Sequence, residues 1–123
     1  MKICISACGK DLDSEVDPQF GRCNYFVLID PDTGSVTSII NPGSEASGGA
    51  GIRAAEAIAC AGAGILLTGS VGPKSFSILS EAGIETYSGI RGTVDFALKE
   101  YKSRKLAILK GPNTSLSNGM KKS

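Results

Sequence analysis

Residues 47–75 read SGGAGIRAAEAIACAGAGILLTGSVGPKS, which predicts a glycine loop, a helix, a buried strand and a second glycine loop, in that order. The run 65–68 is aliphatic and β-branched and lies between glycines, a pattern typical of an interior parallel strand. Pro73 suits the first turn of a second helix. The first helix is predicted to bury one apolar stripe at helical spacing, formed by Ile52, Ala55, Ala59 and Cys60.

Turn residues and apolar runs predict the remaining elements. The segment 35–40 is more polar than the other strands and is predicted to lie at a sheet edge. The run 106–109 is either a last short strand or a packed strap, and it closes a single domain over 1–109. Residues 110–123 then read as a flexible basic tail. Strands are predicted over 2–7, 25–29, 35–40, 65–68 and 84–87, and helices over 52–60, 73–82 and 93–101.

The element order predicts an α/β fold with a mixed five-stranded sheet. Strands one to three form an antiparallel meander, and strands four and five run parallel through crossover helices. One edge of such a sheet collects Cys8, Cys23 and the loops 42–51, 69–73 and 88–92. Open α/β sheets bind ligands at their carboxyl edge, so this edge is the predicted site.

The glycine loops at this edge predict an anion-binding surface, because helix N-termini present unpaired amides and a partial positive charge. The alternative is that these glycines only form tight turns. Residues expected to contact a ligand are Gly48, Gly49, Gly51, Gly69, Ser70, Gly72 and Gly92, with Arg22 and Arg91 adding positive charge.

Composition limits the possible chemistry. The chain of 123 residues has no histidine, which removes the usual general base and every Ser-His or Cys-His nucleophile. No apolar run approaches the ~20 residues that span a bilayer, and the opening MKICISACGKD does not resemble a secretion signal. We therefore expect a cytoplasmic protein whose four cysteines are reduced thiols.

Charge is distributed unevenly along the chain. Residues 1–98 carry six basic and eleven acidic side chains, whereas residues 99–123 carry seven basic and one acidic. A basic tail can contact nucleic acid or acidic partners. Nucleic-acid binding is disfavoured here, because no aromatic residues are interleaved with the charges from residue 102 onward.

Three stretches resemble the dinitrogenase iron–molybdenum cofactor biosynthesis family, which includes NifX-type proteins and the C-terminal domain of NifB-type proteins. They read FGRCNYFVLID at 20–30, NPGSEASGGAGIRAAEAIA at 41–59 and ILLTGSVGPKSFSIL at 65–79. The resemblance implies a ribonuclease-H-like, three-layer α/β/α fold. It also implies a carrier or chaperone, not an enzyme, that binds an iron–sulfur or iron–molybdenum cluster or its precursor. Partners would then be cluster donor or acceptor proteins.

Cys8 and Cys23 are the candidate metal ligands, because thiolates hold iron–sulfur clusters and nearby helix N-termini would lower their pKa. Two thiols are too few for a four-thiolate cluster. A bound cluster would therefore need exogenous ligands, a transient site or a dimer that shares four thiols. We expect the chain to be a monomer or a weak homodimer. The alternative is that both cysteines are simply packed. Cys4 and Cys60 are predicted to lie in the core.

Two other functions stay open from the residues alone. The glycine loops without metal would make an anion- or nucleotide-binding module. The basic tail alone would make an interaction module. A calcium site is disfavoured, since the acidic loop lacks the glycine and terminal glutamate of such sites; its members are Asp11, Asp13, Glu15 and Asp17.

Overall fold

The computed structural model describes residues 1–112. Glycine, proline and polar residues separate its elements much as the sequence predicts, and a short 3-10 turn covers Phe20–Arg22. The strands and helices are β1 (Lys2–Ala7), β2 (Tyr25–Ile29), β3 (Val36–Ile40), α1 (Ala50–Cys60), β4 (Ala63–Leu67), α2 (Pro73–Glu81), β5 (Glu85–Tyr87) and α3 (Val94–Lys102).

The strands form one mixed sheet in the order β3-β2-β1-β4-β5. β2 runs antiparallel to both β1 and β3, whereas β4 runs parallel to both β1 and β5. The turn between β2 and β3 closes with a 2.9 Å bond from the Asp30 amide to the Ser35 carbonyl, and Gly34 supplies the positive φ that the turn needs. The predicted mixed sheet is confirmed, with β3 at its edge.

Helices cover both faces of the sheet, which confirms the three-layer arrangement. Alternate residues of β1 point to opposite faces, as the pleat requires. Ile3 and Ile5 pack toward α3, and Cys4 packs toward α1 and α2. The side chains buried beneath α1 and α2 include Phe20, Cys23, Phe26, Leu28, Ala54, Ala55, Ile58, Leu66 and Leu79.

The predicted stripe of α1 is partly wrong. The buried face consists of Ala50, Ala54, Ala55 and Ile58, whereas Cys60 is exposed. Cys60 lies two residues beyond Ile58, which turns its side chain about 200° around the axis and away from the sheet. The prediction that Cys60 lies in the core is therefore wrong, while Cys4 is fully buried as predicted.

The run 106–109 is a strap that pairs with β5 at one bridge. Ile108 pairs with Tyr87, and the Leu109 amide donates to the Thr86 carbonyl at 2.6 Å. Most of the predicted basic tail, residues 113–123, lies outside the described residues.

Candidate functional site

The N-termini of α1 and α2 meet at the carboxyl edge of the sheet. Gly51 makes this close approach possible, because a Cβ at that position would overlap the Ser75 hydroxyl oxygen. Between the two helix starts lies a cavity of about 290 Å³, called the α1–α2 cavity below. Its lining consists of Gly49, Ala50, Gly51, Ile52, Gly72, Pro73, Lys74 and Ser75.

The α1–α2 cavity is electropositive. Gly49 and Gly72 occupy the N-cap positions, so no side chain caps the first amides of either helix. Neither helix has an acidic residue in its first turn. Lys74, the second residue of α2, adds an ammonium group at the end where the helix dipole is already positive. Two helix N-termini and one cation therefore face a cavity that no acidic side chain lines.

The structure brings together three of the predicted ligand contacts, Gly49, Gly51 and Gly72. The sequence prediction missed Lys74 and Ser75. A signal for Lys74 was available, because a lysine placed directly after the N-terminal proline of a helix is unfavourable unless an anion compensates it. Gly48 is exposed beside the cavity, and a Cβ at this position would meet no atom within 4 Å.

Three residues predicted to contact a ligand, Gly69, Ser70 and Gly92, instead contact another segment of the chain. Residues 12–20, the crossing segment, run across the sheet edge from the start of α3 to the loop after β4. The Ser70 amide donates to the Pro18 carbonyl at 2.8 Å, and the Val16 amide donates to the Gly92 carbonyl at 2.8 Å. Gly69 lets the Pro18 backbone approach closely. Gly69, Ser70 and Gly92 therefore hold the crossing segment and do not line the α1–α2 cavity.

The two predicted arginines lie in different places. The Arg22 guanidinium donates to the Ala46 carbonyl at 2.7 Å and ties the 3-10 turn to the loop before α1. Arg91 lines a separate cavity of about 140 Å³ together with Phe96 and Glu100. Only Arg22 is thus attached to a loop that leads into the candidate site.

Asn41 is the buried polar residue that organises the loops next to this site. Its side-chain nitrogen donates to the carbonyls of Gly21 at 3.1 Å and Cys23 at 2.9 Å. Its side-chain oxygen accepts from the Gly43 amide at 2.9 Å. These three bonds join the turn before β2 to the loop before α1, and they satisfy every polar group of the buried side-chain amide.

The structure buries Cys23 completely. Its thiol lies 3.4 Å from the Phe20 carbonyl and 3.7 Å from the side-chain nitrogen of Asn41. Burial, partly offset by hydrogen bonds to the sulfur, raises the pKa of Cys23 to about 12. The expectation of a lowered pKa is wrong here, because the loss of solvation outweighs any effect of nearby helix termini.

Cys8 is exposed, and its thiol also differs from expectation. Its sulfur lies 3.9 Å from a carboxylate oxygen of Asp17. Partial desolvation and the negative charges of Asp17 and Glu15 raise the pKa of Cys8. The Asn24 side chain approaches the Cys8 carbonyl at 3.5 Å, so the two cysteine-bearing segments are neighbours even though their thiols have different environments.

These environments predict a clear order of thiol reactivity. Iodoacetamide should modify Cys8 in the folded protein, while Cys4 and Cys23 react only after unfolding, since both are fully buried. The rate of Cys8 alkylation should continue to rise as the pH increases beyond about 8.5, the ordinary pKa of a thiol, because only the thiolate reacts and the pKa of Cys8 is raised. Asp17→Asn should raise the rate severalfold at neutral pH. Peptide mapping by mass spectrometry measures each rate, and equal rates for Cys8 and Cys23 would contradict the prediction.

Within residues 1–112, no three cysteine, aspartate or glutamate side chains come close enough together to hold a metal ion. Cys8 and Cys23 alone do not form a ready thiolate site, because one is sealed in the core and both pKa values are raised. In the same part of the chain, every helix is too short or too polar to span a membrane.

Comparison with known proteins gives the family. A family model described as dinitrogenase iron-molybdenum cofactor matches residues 1–104. The chain belongs to this family. The match confirms the resemblance carried by residues 20–30, 41–59 and 65–79.

Solved structures of other proteins share the fold. The apo form of the orange protein from Desulfovibrio gigas is 40% identical, with a TM-score of 0.89 over 92% of this chain and 96% of that protein. A Thermotoga protein that carries a provisional NifB name and is placed in the DUF35 family is 29% identical, with a TM-score of 0.81 over 93% of this chain and 97% of that one. A protein of Methanocaldococcus jannaschii, described as uncharacterized, is 27% identical over 97 residues, which cover 76% of this chain and 82% of that relative.

Proposed function

We propose that this member of the dinitrogenase iron-molybdenum cofactor family is a non-enzymatic accessory protein. Its cargo would be an anionic metal–sulfur cluster of iron–sulfur or iron–molybdenum type, or a precursor of one, bound in the α1–α2 cavity. The observation that carries the proposal is the convergence of two uncapped helix N-termini and Lys74 on a cavity without acidic lining. Amides in this arrangement bind anions.

Family membership and the relatives support the class of cargo. The family is described by the iron–molybdenum cofactor. The orange protein has a structure described as apo, a word that denotes a form without its bound group. The partners that fit such a role are proteins that donate the cluster or receive it.

The thiols would contribute less than the amides. Cys8 is accessible and is the first candidate for a direct bond to the metal. Cys23 would have to leave its contacts with Phe20 and Asn41 before it reached a cluster. Because both pKa values are raised, binding that depends on thiolates should be weak at neutral pH and should strengthen as pH rises.

Anaerobic reconstitution of the full chain with iron and sulfide tests the proposal. The expected result is charge-transfer absorption in the visible range that remains with the protein after desalting. Lys74→Glu should weaken binding at least about fivefold, because it replaces a side chain that attracts the anionic cargo by one that repels it. The matched control is Lys102→Glu in the last turn of α3, which should bind as the wild type does.

Two outcomes would count against cluster binding. The first is the absence of visible absorption in the wild type, and the second is an equal loss in the Lys74 and Lys102 variants. A double variant, Cys8→Ala with Cys23→Ala, separates the contributions. Retained binding in this variant assigns the cluster to the amides, and lost binding assigns it to the thiols.

The raised thiol pKa values favour a second candidate function, in which the glycine loops bind an anion or nucleotide without metal. Titration with inorganic phosphate or a nucleotide would then shift the amide signals of Gly49, Gly51 and Gly72 in an iron-free sample. Signals that stay unchanged would eliminate this candidate.

A further inference from the structure

β3 leaves one side of its backbone unpaired at the edge of the sheet. Just beyond the two ends of the β2–β3 pair, the Asp30 amide donates to the Ser35 carbonyl at 2.9 Å and the Asn41 amide donates to the Asn24 carbonyl at 3.0 Å. In an antiparallel pair, the residues that bond to the neighbour alternate along the strand. The odd-numbered residues of β3 therefore face β2, and the backbone groups of Val36, Ser38 and Ile40 point away from it.

This edge lacks the features that usually prevent pairing. Residues 34–44 contain no charged side chain, and no proline or bulge interrupts β3. Val36 is 40% exposed and Ile40 is 70% exposed, so the edge is apolar as well as open. Within residues 1–112, no segment pairs with this side of β3.

We propose that β3 pairs with β3 of a second copy of this chain. The strand is self-complementary in an antiparallel register centred on Ser38. Val36 then lies opposite Ile40 of the partner subunit, and Ser38 lies opposite Ser38 of the partner subunit. All three outward-pointing residues fall on hydrogen-bonded positions, with each pair exchanging both backbone bonds. The exposed Val36 and Ile40 side chains meet on one face, and the two five-stranded sheets become one continuous sheet.

The geometry of this dimer keeps the thiols of the two copies apart. In the order β1-β2-β3-β3-β2-β1, the two β1 strands lie five strand spacings apart, about 24 Å. Cys8 follows β1, so the two copies would not pool their thiols at one cluster. A single pair of five-residue strands buries less surface than stable dimers need, so the association is weak and depends on concentration. The inference is independent of the proposed cargo.

Amide hydrogen exchange on the full chain at low and high protein concentration tests the pairing. The amides of Val36, Ser38 and Ile40 should exchange rapidly in dilute solution and become protected at high concentration. Those of Thr37 and Ile39 face β2 and should be protected at both. Analytical ultracentrifugation should show dimer formation over the same range of concentration.

Two matched variants decide between this edge and other surfaces. Ile40→Lys should abolish both the dimer and the concentration-dependent protection, and its high exposure means that the fold should tolerate the change. Phe96→Lys alters another exposed apolar side chain, 54% exposed on α3, and should leave the dimer intact. The proposal is overturned if the three amides exchange rapidly at every concentration, or if a dimer forms that only Phe96→Lys disrupts.

Discussion

Gly69→Ala is expected to lower the free energy of unfolding by about 2–4 kcal/mol. A Cβ at this position would lie 2.5 Å from both the Cα and the carbonyl oxygen of Pro18. These are backbone atoms, and the same Pro18 oxygen accepts bonds from the amide and the hydroxyl of Ser70 at 2.8 and 3.0 Å. The crossing segment therefore cannot retreat without losing its attachment to the loop after β4.

Chemical denaturation measures this loss, and the melting temperature should fall by roughly 10 °C. The control is Gly48→Ala, because a Cβ there meets no atom within 4 Å. Gly48→Ala should change the free energy of unfolding by no more than about 0.5 kcal/mol. Equal effects of the two substitutions would show that the close approach of Pro18 is not what requires glycine at position 69.

Asn41→Ala is expected to destabilise the protein by about 2–4 kcal/mol. The substitution removes both donors to the carbonyls of Gly21 and Cys23 and the acceptor of the Gly43 amide, in a site with no access to solvent. The turn that covers Cys23 also loses its hydrogen bonds to the Asn41 side chain. Faster alkylation of Cys23 should therefore accompany the loss of stability.

Asn24→Ala is the matched control for this prediction. Asn24 is exposed, and its side chain makes one long bond of 3.5 Å to the Cys8 carbonyl. The free energy of unfolding should change by less than about 0.5 kcal/mol, and Cys23 should stay unreactive. A loss of stability comparable to that of Asn41→Ala would contradict the role given to the buried amide.

The directions of the strands followed from local signals in the sequence. The proline and glycine turn at 31–34 leaves no room for a crossover, so β2 and β3 must run antiparallel. The segments 50–60 and 73–81 supply the helices for parallel connections. Each of these strand directions depends on residues that are close together in the chain, which is why the sequence alone predicts them.

The site was predicted only in part, because its details depend on contacts between distant segments. Gly69 and Gly72 look alike in the sequence, yet one accommodates Pro18 and the other lines the α1–α2 cavity. Cys8 and Cys23 both flank strands, but only Cys23 is covered by Phe20 and Asn41. Local periodicity carries no information on such tertiary neighbours.

The crossing segment has a consequence for when the carboxyl edge is completed during synthesis. Its carbonyls at Leu12 and Ser14 accept bonds from the amides of Asp95 and Val94, the first residues of α3. A ribosome-bound chain that has emerged only through α2 therefore lacks the anchor that α3 supplies to this segment. Such long-range closures form late, because the loop entropy must be overcome first. The carboxyl edge of the sheet is accordingly completed only once α3 is available to anchor this segment.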